Sequence, residues 1–388
     1  MYHLRRLSAL VLSLAIAPLL FLPTPAAAAN EDSMPLVLSS ASALLMEKET
    51  GTVLLQQNAH QKLEPASVTK IMTLLLVMEA VDSGRLSLDE LVPVSAHAAG
   101  MGGSQVYLKE GEQLSVSDLI KCVAVVSGND CAVALAERLA GSESAFVDQM
   151  NQKAQSLGMA DTHFVNCTGL PAPGHLTSAW DIALMSRELI LRHPDIQQYT
   201  TIWTDSIRNG AFGLTNTNRL VRFYDGATGL KTGFTASAQY CMSATAQRNG
   251  MELIAVVMKA PTTAQRFQDA SSLLDYGFAN YALITPQPES PLAPVDVLLG
   301  RSKTVQPQLQ WECHLLVEKA QADQVTTRVD LAQDVQAPVD PGQTLGEFQV
   351  YVGNELRDSV PIVAAQGVDR LSVPGLFSQL LRRLLFAG

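Results

Sequence analysis

The sequence predicts an α/β (α+β) catalytic domain followed by a small all-β domain. Three observations carry that expectation. Strand-like runs lie at 41–56 and again at 240–259, with helical runs between them, so one sheet takes strands from both ends of the domain. TPQPESPLAP then places four prolines in ten residues, which reads as a linker. Only short strand-like runs follow until the last residues. At 388 residues and 47% hydrophobic content the chain can bury more than one core.

Taken in order, ASALLMEKETGTVLLQ gives two strands around a Lys-Glu-Thr-Gly turn. A helix opens near Ser67 and ends near Gly84; LEPASVTKIMTLLLVMEAV carries a single cation, Lys70, in an otherwise greasy core. Two apolar helices, 116–126 and 131–140, flank Ser127-Gly128-Asn129-Asp130. Ile182, Leu184, Met185, Leu189 and Ile190 cluster on one side of a helix over 178–191. Strands at 240–247 and 252–259 are joined by Arg248-Asn249-Gly250, because Asn-Gly accepts positive φ at both positions. A helix over 262–276 completes the domain. Beyond the linker, strands are expected at 295–299, 311–317, 325–331, 348–352 and 359–364. The expected boundaries are 35–283 for the catalytic domain, 284–294 for the linker and 295–368 for the β-sandwich-like domain.

The two ends have their own character. His3, Arg5 and Arg6, an apolar run from Leu7 to Leu22, and Ala26 to Ala29 form the pattern of a secretory signal peptide over 1–29. The rest of the chain is therefore expected outside the cytoplasm, at the outer face of the cytoplasmic membrane. Over 372–388, Leu376, Phe377, Leu380, Leu381, Leu384 and Leu385 fall at helical spacing, with Gln379, Arg382 and Arg383 opposite. That is an amphipathic helix suited to an anionic membrane surface.

A net charge of −10 argues against nucleic acid as a partner. Five cysteines, an odd number, show no CxxC and no zinc spacing. They read as small buried hydrophobes, and no metal or other cofactor is expected.

Ser67 and Lys70 stand at i and i+3, on one helix face. Desolvation lowers a lysine pKa, and a neutral amine there can take the serine proton without any histidine. Alone, S-x-x-K is weak, since a chain of this length holds about one by chance. Two further elements complete a constellation. Ser127-Gly128-Asn129 puts a proton-relaying hydroxyl and an amide between two helices. Lys231-Thr232-Gly233, followed by Phe234-Thr235, puts a cation and two hydroxyls on a strand, with a glycine that lets a substrate backbone approach.

S-x-x-K, S-x-N and K-T-G in this order, each present once, are the shared pattern of penicillin-binding proteins and class A β-lactamases. The chain resembles low-molecular-mass penicillin-binding proteins, the serine-type D-alanyl-D-alanine carboxypeptidases. The resemblance also rests on LIKCVAVVSGNDCAVALAE, THFVNCTGL, HLTSAWDIALMS and GATGLKTGFT. It implies a serine β-lactamase/transpeptidase-like catalytic domain that removes the terminal D-Ala of peptidoglycan stem peptides and is acylated by β-lactam antibiotics. It further implies Ser67 as nucleophile, Lys70 as base and Ser127 as proton relay. Asn129 would bind the substrate amide, Lys231 would supply positive charge, and Thr232 and Thr235 would meet the terminal carboxylate. The backbone N–H groups of Ser67 and Phe234, beside Gly233, would form the oxyanion hole. Phe234 stands where the family often has histidine, and only its backbone is needed.

A β-lactamase and a non-hydrolytic penicillin-binding cell-wall protein are the alternatives. No glutamate lies between Asp161 and Asp181, where a class A deacylating residue would fall, so slow release of penicillin is expected. His163 and His175 in that stretch read as loop or core histidines.

Overall fold

The computed structural model describes residues 36–372 together with 374, 375, 377 and 385. The expected signal peptide and most of the expected terminal helix lie outside the described residues.

Five antiparallel strands form the central sheet: β1 (Ser42–Glu47), β2 (Val53–Gln57), β3 (Ala227–Thr235), β4 (Gln239–Arg248) and β5 (Met251–Ala260), in spatial order β2-β1-β5-β4-β3. N-terminal β1 pairs with β5, with Leu44 opposite Val256 and Leu45 opposite Ala255, so the sheet does join both ends of the domain. The β4–β5 hairpin turns at Asn249 and Gly250, with φ of 51° and 81°, as Asn-Gly chemistry requires. MELIAVVMKA is apolar almost throughout because both faces of β5 are covered. Ile254, Val256 and Met258 face one core; Leu253, Ala255 and Val257 face the other.

On the first face lie α1 (Lys70–Asp82), α2 (Val116–Val125), α3 (Asn129–Ala140), α4 (Glu143–Ser156) and α5 (Ala179–Arg192). Ser115, Ser142 and Ser178 start α2, α4 and α5 by accepting backbone N–H bonds with their hydroxyls. Helix α1 is buried nearly all round, from Lys70 to Met78, which is why its sequence shows no polar face. Helix α4 was not legible: only Phe146, Val147, Met150 and Ala154 are buried on it, a stripe too narrow to stand out. The second face is covered by α6 (Thr263–Asn280), which ends four residues later than the pattern predicts, because Phe278 still packs on the sheet.

Two small sheets follow the linker. One orders Thr304–Val305, Val295–Leu298 and Asp334–Gln336; the other orders Pro307–Leu309, Glu355–Ala364, Thr344–Val352 and Val325–Leu331. They enclose their own apolar clusters. Trp311, expected in a strand, lies outside one and is half exposed; the strand is Leu315–Glu318, and Cys313 enters the core instead. Leu315–Glu318 pairs with Tyr281–Ile284, which follows α6 directly, so a two-stranded ladder ties the two parts together.

Candidate active site

Ser67 sits in a 3-10 turn, Ala66–Thr69, and the α-helix proper begins at Lys70. The sequence placed Ser67 in the first α-helical turn; the tighter turn is imposed by Ala66, whose φ is +48°. This strained residue is held from below. Gly169, at φ +83°, packs so closely that a Cβ there would lie 1.8 Å from the Ala66 carbonyl oxygen. Thr69 Oγ1 donates to that oxygen at 2.9 Å. His175 Nε2 lies 2.8 Å from Thr69 Oγ1, while its Nδ1 accepts from Val165 N–H at 3.0 Å. These partners assign the proton to Nε2. Burial pushes the His175 pKa down to about 4, so the ring stays neutral and acts as a brace. The core-histidine reading fits His175; His163 is exposed.

Lys70 is fully buried, and its Nζ donates to Ser67 Oγ at 3.0 Å, Asn129 Oδ1 at 2.6 Å and Thr168 O at 2.7 Å. Burial lowers its pKa to about 7. An amine half neutral at neutral pH, within hydrogen-bond reach of a serine hydroxyl, has the geometry of a general base. The Asn166–Gly169 turn that supplies Thr168 O is pinned through both backbone groups of Cys167. Thr73 Oγ1 donates to Cys167 O at 2.7 Å, and Glu143 Oε1 accepts from Cys167 N–H at 3.1 Å.

Asn129 is the first residue of α3, and the connection is Val126, Ser127 and Gly128, a correction to the loop placement of Asn129. Gly128 precedes the helix without a side-chain cap, and Asp130 accepts from the Val106 and Leu108 amides instead of capping. Ser127 has φ +63°, and its buried Oγ has no hydrogen-bond partner among the described residues. A strained residue with an unspent hydroxyl points to a group kept for a ligand or a transferring proton. Asn129 Nδ2 donates to Gly102 O at 2.7 Å, leaving one N–H for a substrate.

Strand β3 is the edge of the sheet beside Ser67. A Cβ on Gly233 would lie 2.9 Å from Pro65 O and 3.0 Å from Ser67 N, so only glycine lets the strand approach the nucleophile turn this closely. Lys231 is buried, and its Nζ donates to Thr232 O at 2.8 Å. Burial, then the charges of Lys70 and Arg266, push its pKa well down. Thr232 Oγ1 is 2.7 Å from Thr217 Oγ1. Thr235 is different. Three residues on in an extended strand, it stands on the opposite face, about 10 Å further along. Its Oγ1 accepts from Ala238 N–H at 3.0 Å. Thr232 is thus the hydroxyl beside Lys231, while the Thr235 hydroxyl is engaged within its own turn. Phe234 is 55% exposed and rests on Tyr240, ring centroids 4.5 Å apart, so its side chain lines the rim.

The sequence reading missed Arg266 and Thr217. Arg266 lies beneath β3 from α6, donates to Gly233 O at 3.3 Å, and leaves a buried Nε unpaired. Burial lowers its pKa only to about 10, so it adds a permanent cation. Nothing local in the sequence marks it, because Arg266 and Gly233 stand 33 residues apart in the chain. All five cysteines are free and buried, in line with the small-hydrophobe reading.

The chain is similar to known proteins along most of its length. A family model described as D-alanyl-D-alanine carboxypeptidase matches residues 28–262, and one described as penicillin-binding protein 5, C-terminal domain, matches 287–370. D-alanyl-D-alanine carboxypeptidase DacF of Bacillus subtilis (strain 168) is 37% identical over 369 residues, covering 93% of this chain and 95% of the relative. DacC of Escherichia coli (strain K12) is 33% identical, covering 90% and 89%. Among solved structures, penicillin-binding protein 5 from Haemophilus influenzae superposes with a TM-score of 0.74 at 29% identity, over 87% of this chain and all of that one (100%). Penicillin-binding protein D2 from Listeria monocytogenes in its ampicillin-bound form gives 0.58 at 37%, over 63% and 99%. Similarity of this extent, across both parts of the molecule, shows that the chain belongs to the D-alanyl-D-alanine carboxypeptidase family of penicillin-binding proteins.

Proposed function

We propose that the protein is a serine hydrolase that removes the terminal D-Ala from peptidoglycan stem peptides ending in D-Ala-D-Ala. The observation that carries this is the buried Lys70 amine, 3.0 Å from Ser67 Oγ and facing a strand that holds a second buried lysine. Substrate adds along the open edge of β3, with its terminal carboxylate at the Lys231–Thr232 end and its scissile carbonyl at Ser67. Neutral Lys70 takes the Ser67 proton as Oγ attacks the penultimate D-Ala carbonyl. The backbone N–H groups of Ser67 and Phe234 receive the oxyanion. Ser127 passes a proton to the departing D-Ala nitrogen, Asn129 holds the substrate amide, and water then hydrolyses the Ser67 ester. The substrate carboxylate decides which lysine is charged: an anion beside Lys231 keeps it protonated and leaves Lys70 the neutral member of the pair.

Penicillin enters by the same attack and leaves slowly. Three carboxylates on the segments that build the site are already engaged: Glu143 by Cys167 N–H and His97, Asp130 by the Val106 and Leu108 amides, Glu64 by Ser237. None is free to activate a deacylating water as a β-lactamase requires.

The protein acts outside the cytoplasm, exported by residues 1–29 and held at the membrane surface by 372–388. Among the described residues no helix is long and apolar enough to cross a membrane, and surface attachment needs none.

Mass spectrometry after penicillin exposure tests the assignment: one adduct on Ser67 that persists for many minutes is expected, together with D-Ala release from a D-Ala-D-Ala peptide. Attachment elsewhere, or rapid turnover of a chromogenic cephalosporin, would overturn it.

A further inference from the structure

We infer that Glu64 selects substrates carrying a positively charged side chain on the residue before the D-Ala pair. The inference rests on the proposed carboxypeptidase reading, which fixes the direction of the bound peptide. With the carboxylate at Lys231 and Thr232, and the scissile carbonyl at Gly233 and Ser67, the peptide runs antiparallel to β3. Its preceding residue then lies opposite Thr235, since strands advance about 3.3 Å per residue.

Glu64 waits at that point. It lies three residues before Ser67, and Ser237 Oγ donates to its carboxylate. Ser237 Oγ is in turn 3.3 Å from Thr235 Oγ1, so the carboxylate is tied to the downstream end of β3. Among the described residues no cation lies within ion-pair distance of Glu64; nearby Lys62 pairs with Asp161. The carboxylate is only partly buried. The deep end of the site is positive, with Arg266 permanently charged and Lys231 kept protonated by the substrate carboxylate, whereas this outer end is negative. A peptide with an anionic terminus and an amine one residue before the D-Ala pair matches that polarity.

The test compares D-Ala release from two α-acetylated peptides, L-Lys-D-Ala-D-Ala with a free side-chain amine and the same peptide acetylated at that amine. The intact protein is expected to favour the free amine about fivefold in kcat/KM, the size of one partly exposed ion pair, mainly through KM. In Glu64→Gln the ratio should fall to about one, and in Glu64→Lys it should invert. Penicillin acylation of Ser67 in each variant checks that the site is folded. Equal use of both peptides by the unaltered protein, or a preference that survives in Glu64→Gln, overturns the assignment while leaving the carboxypeptidase reading intact. Release from neither peptide, with no adduct on Ser67, overturns both.

Discussion

At the scale of the residue, the central question is why a cation lies in a greasy helix. Lys70 is held by three acceptors and stripped of water, which brings its pKa to about 7. If neutral Lys70 is the base, the second-order rate of penicillin acylation must rise with pH through about 7 and then level, because the neutral fraction grows as the proton is lost. Stopped-flow quenching or timed mass spectrometry between pH 5 and 9 measures this, and a flat profile would remove Lys70 from the role. The same shift has a cost in stability. The folded-state pKa lies below the ordinary lysine value, so between about 7 and 10 the unfolded chain binds a proton that the native state has released. Native stability therefore gains roughly 1.4 kcal/mol per pH unit from this group over that window. Lys70→Met removes the term. The melting temperature of the variant minus that of the parent should fall steadily from pH 7 towards pH 10, and a pH-independent difference would show that the amine is not desolvated as described.

At the scale of the element, the turn Asn166–Gly169 decides where Lys70 points, and the chain supports it from a distant helix. Burial alone would raise the Glu143 carboxyl, yet its bonds with His97 and Cys167 N–H outweigh that and hold its pKa below the usual value. Glu143→Gln keeps an acceptor for Cys167 N–H, whereas Glu143→Ala leaves that N–H without its partner and frees the turn. Acylation should slow about tenfold in the alanine variant, equivalent to about one lost hydrogen bond's positioning energy, and recover most of the loss in the glutamine variant. Equal loss in both would mean that charge, not position, is what Glu143 supplies. Elements of this kind explain what was legible beforehand. Ser67, Lys70, Ser127, Asn129, Lys231 and Thr232 could be read because each motif is local and each fixes its own neighbours. The β-strands could be read where both faces are buried, as in MELIAVVMKA, or where Asn-Gly forces the turn. Arg266, Glu143 and His175 act through contacts between segments far apart in sequence, and no local pattern announces such contacts.

At the scale of the whole molecule, the proposed membrane attachment lies outside the structures that hold the site. The sheet and its two helical layers enclose the site, while the two small sheets hold apolar cores of their own. The segment from 374 onward contributes nothing to either core among the described residues, and Phe377 and Leu385 are exposed there. An apolar stripe with Arg382 and Arg383 opposite has two ways to hold a bilayer, burial of leucines and attraction to anionic lipid, and these respond to different substitutions. The chain from Asn30 should sediment with phosphatidylglycerol vesicles, and the same chain ending at Val373 should not, with its D-Ala release in solution retained. Arg382→Glu combined with Arg383→Glu should weaken binding to anionic vesicles alone and make it insensitive to salt. Leu380→Ser with Leu384→Ser should abolish binding to neutral and anionic vesicles alike, because burial of the apolar stripe is common to both. If the shortened chain still sediments, the membrane contact lies in the two-sheet part of the molecule. If the arginine and leucine pairs behave identically, the segment docks on protein rather than on lipid.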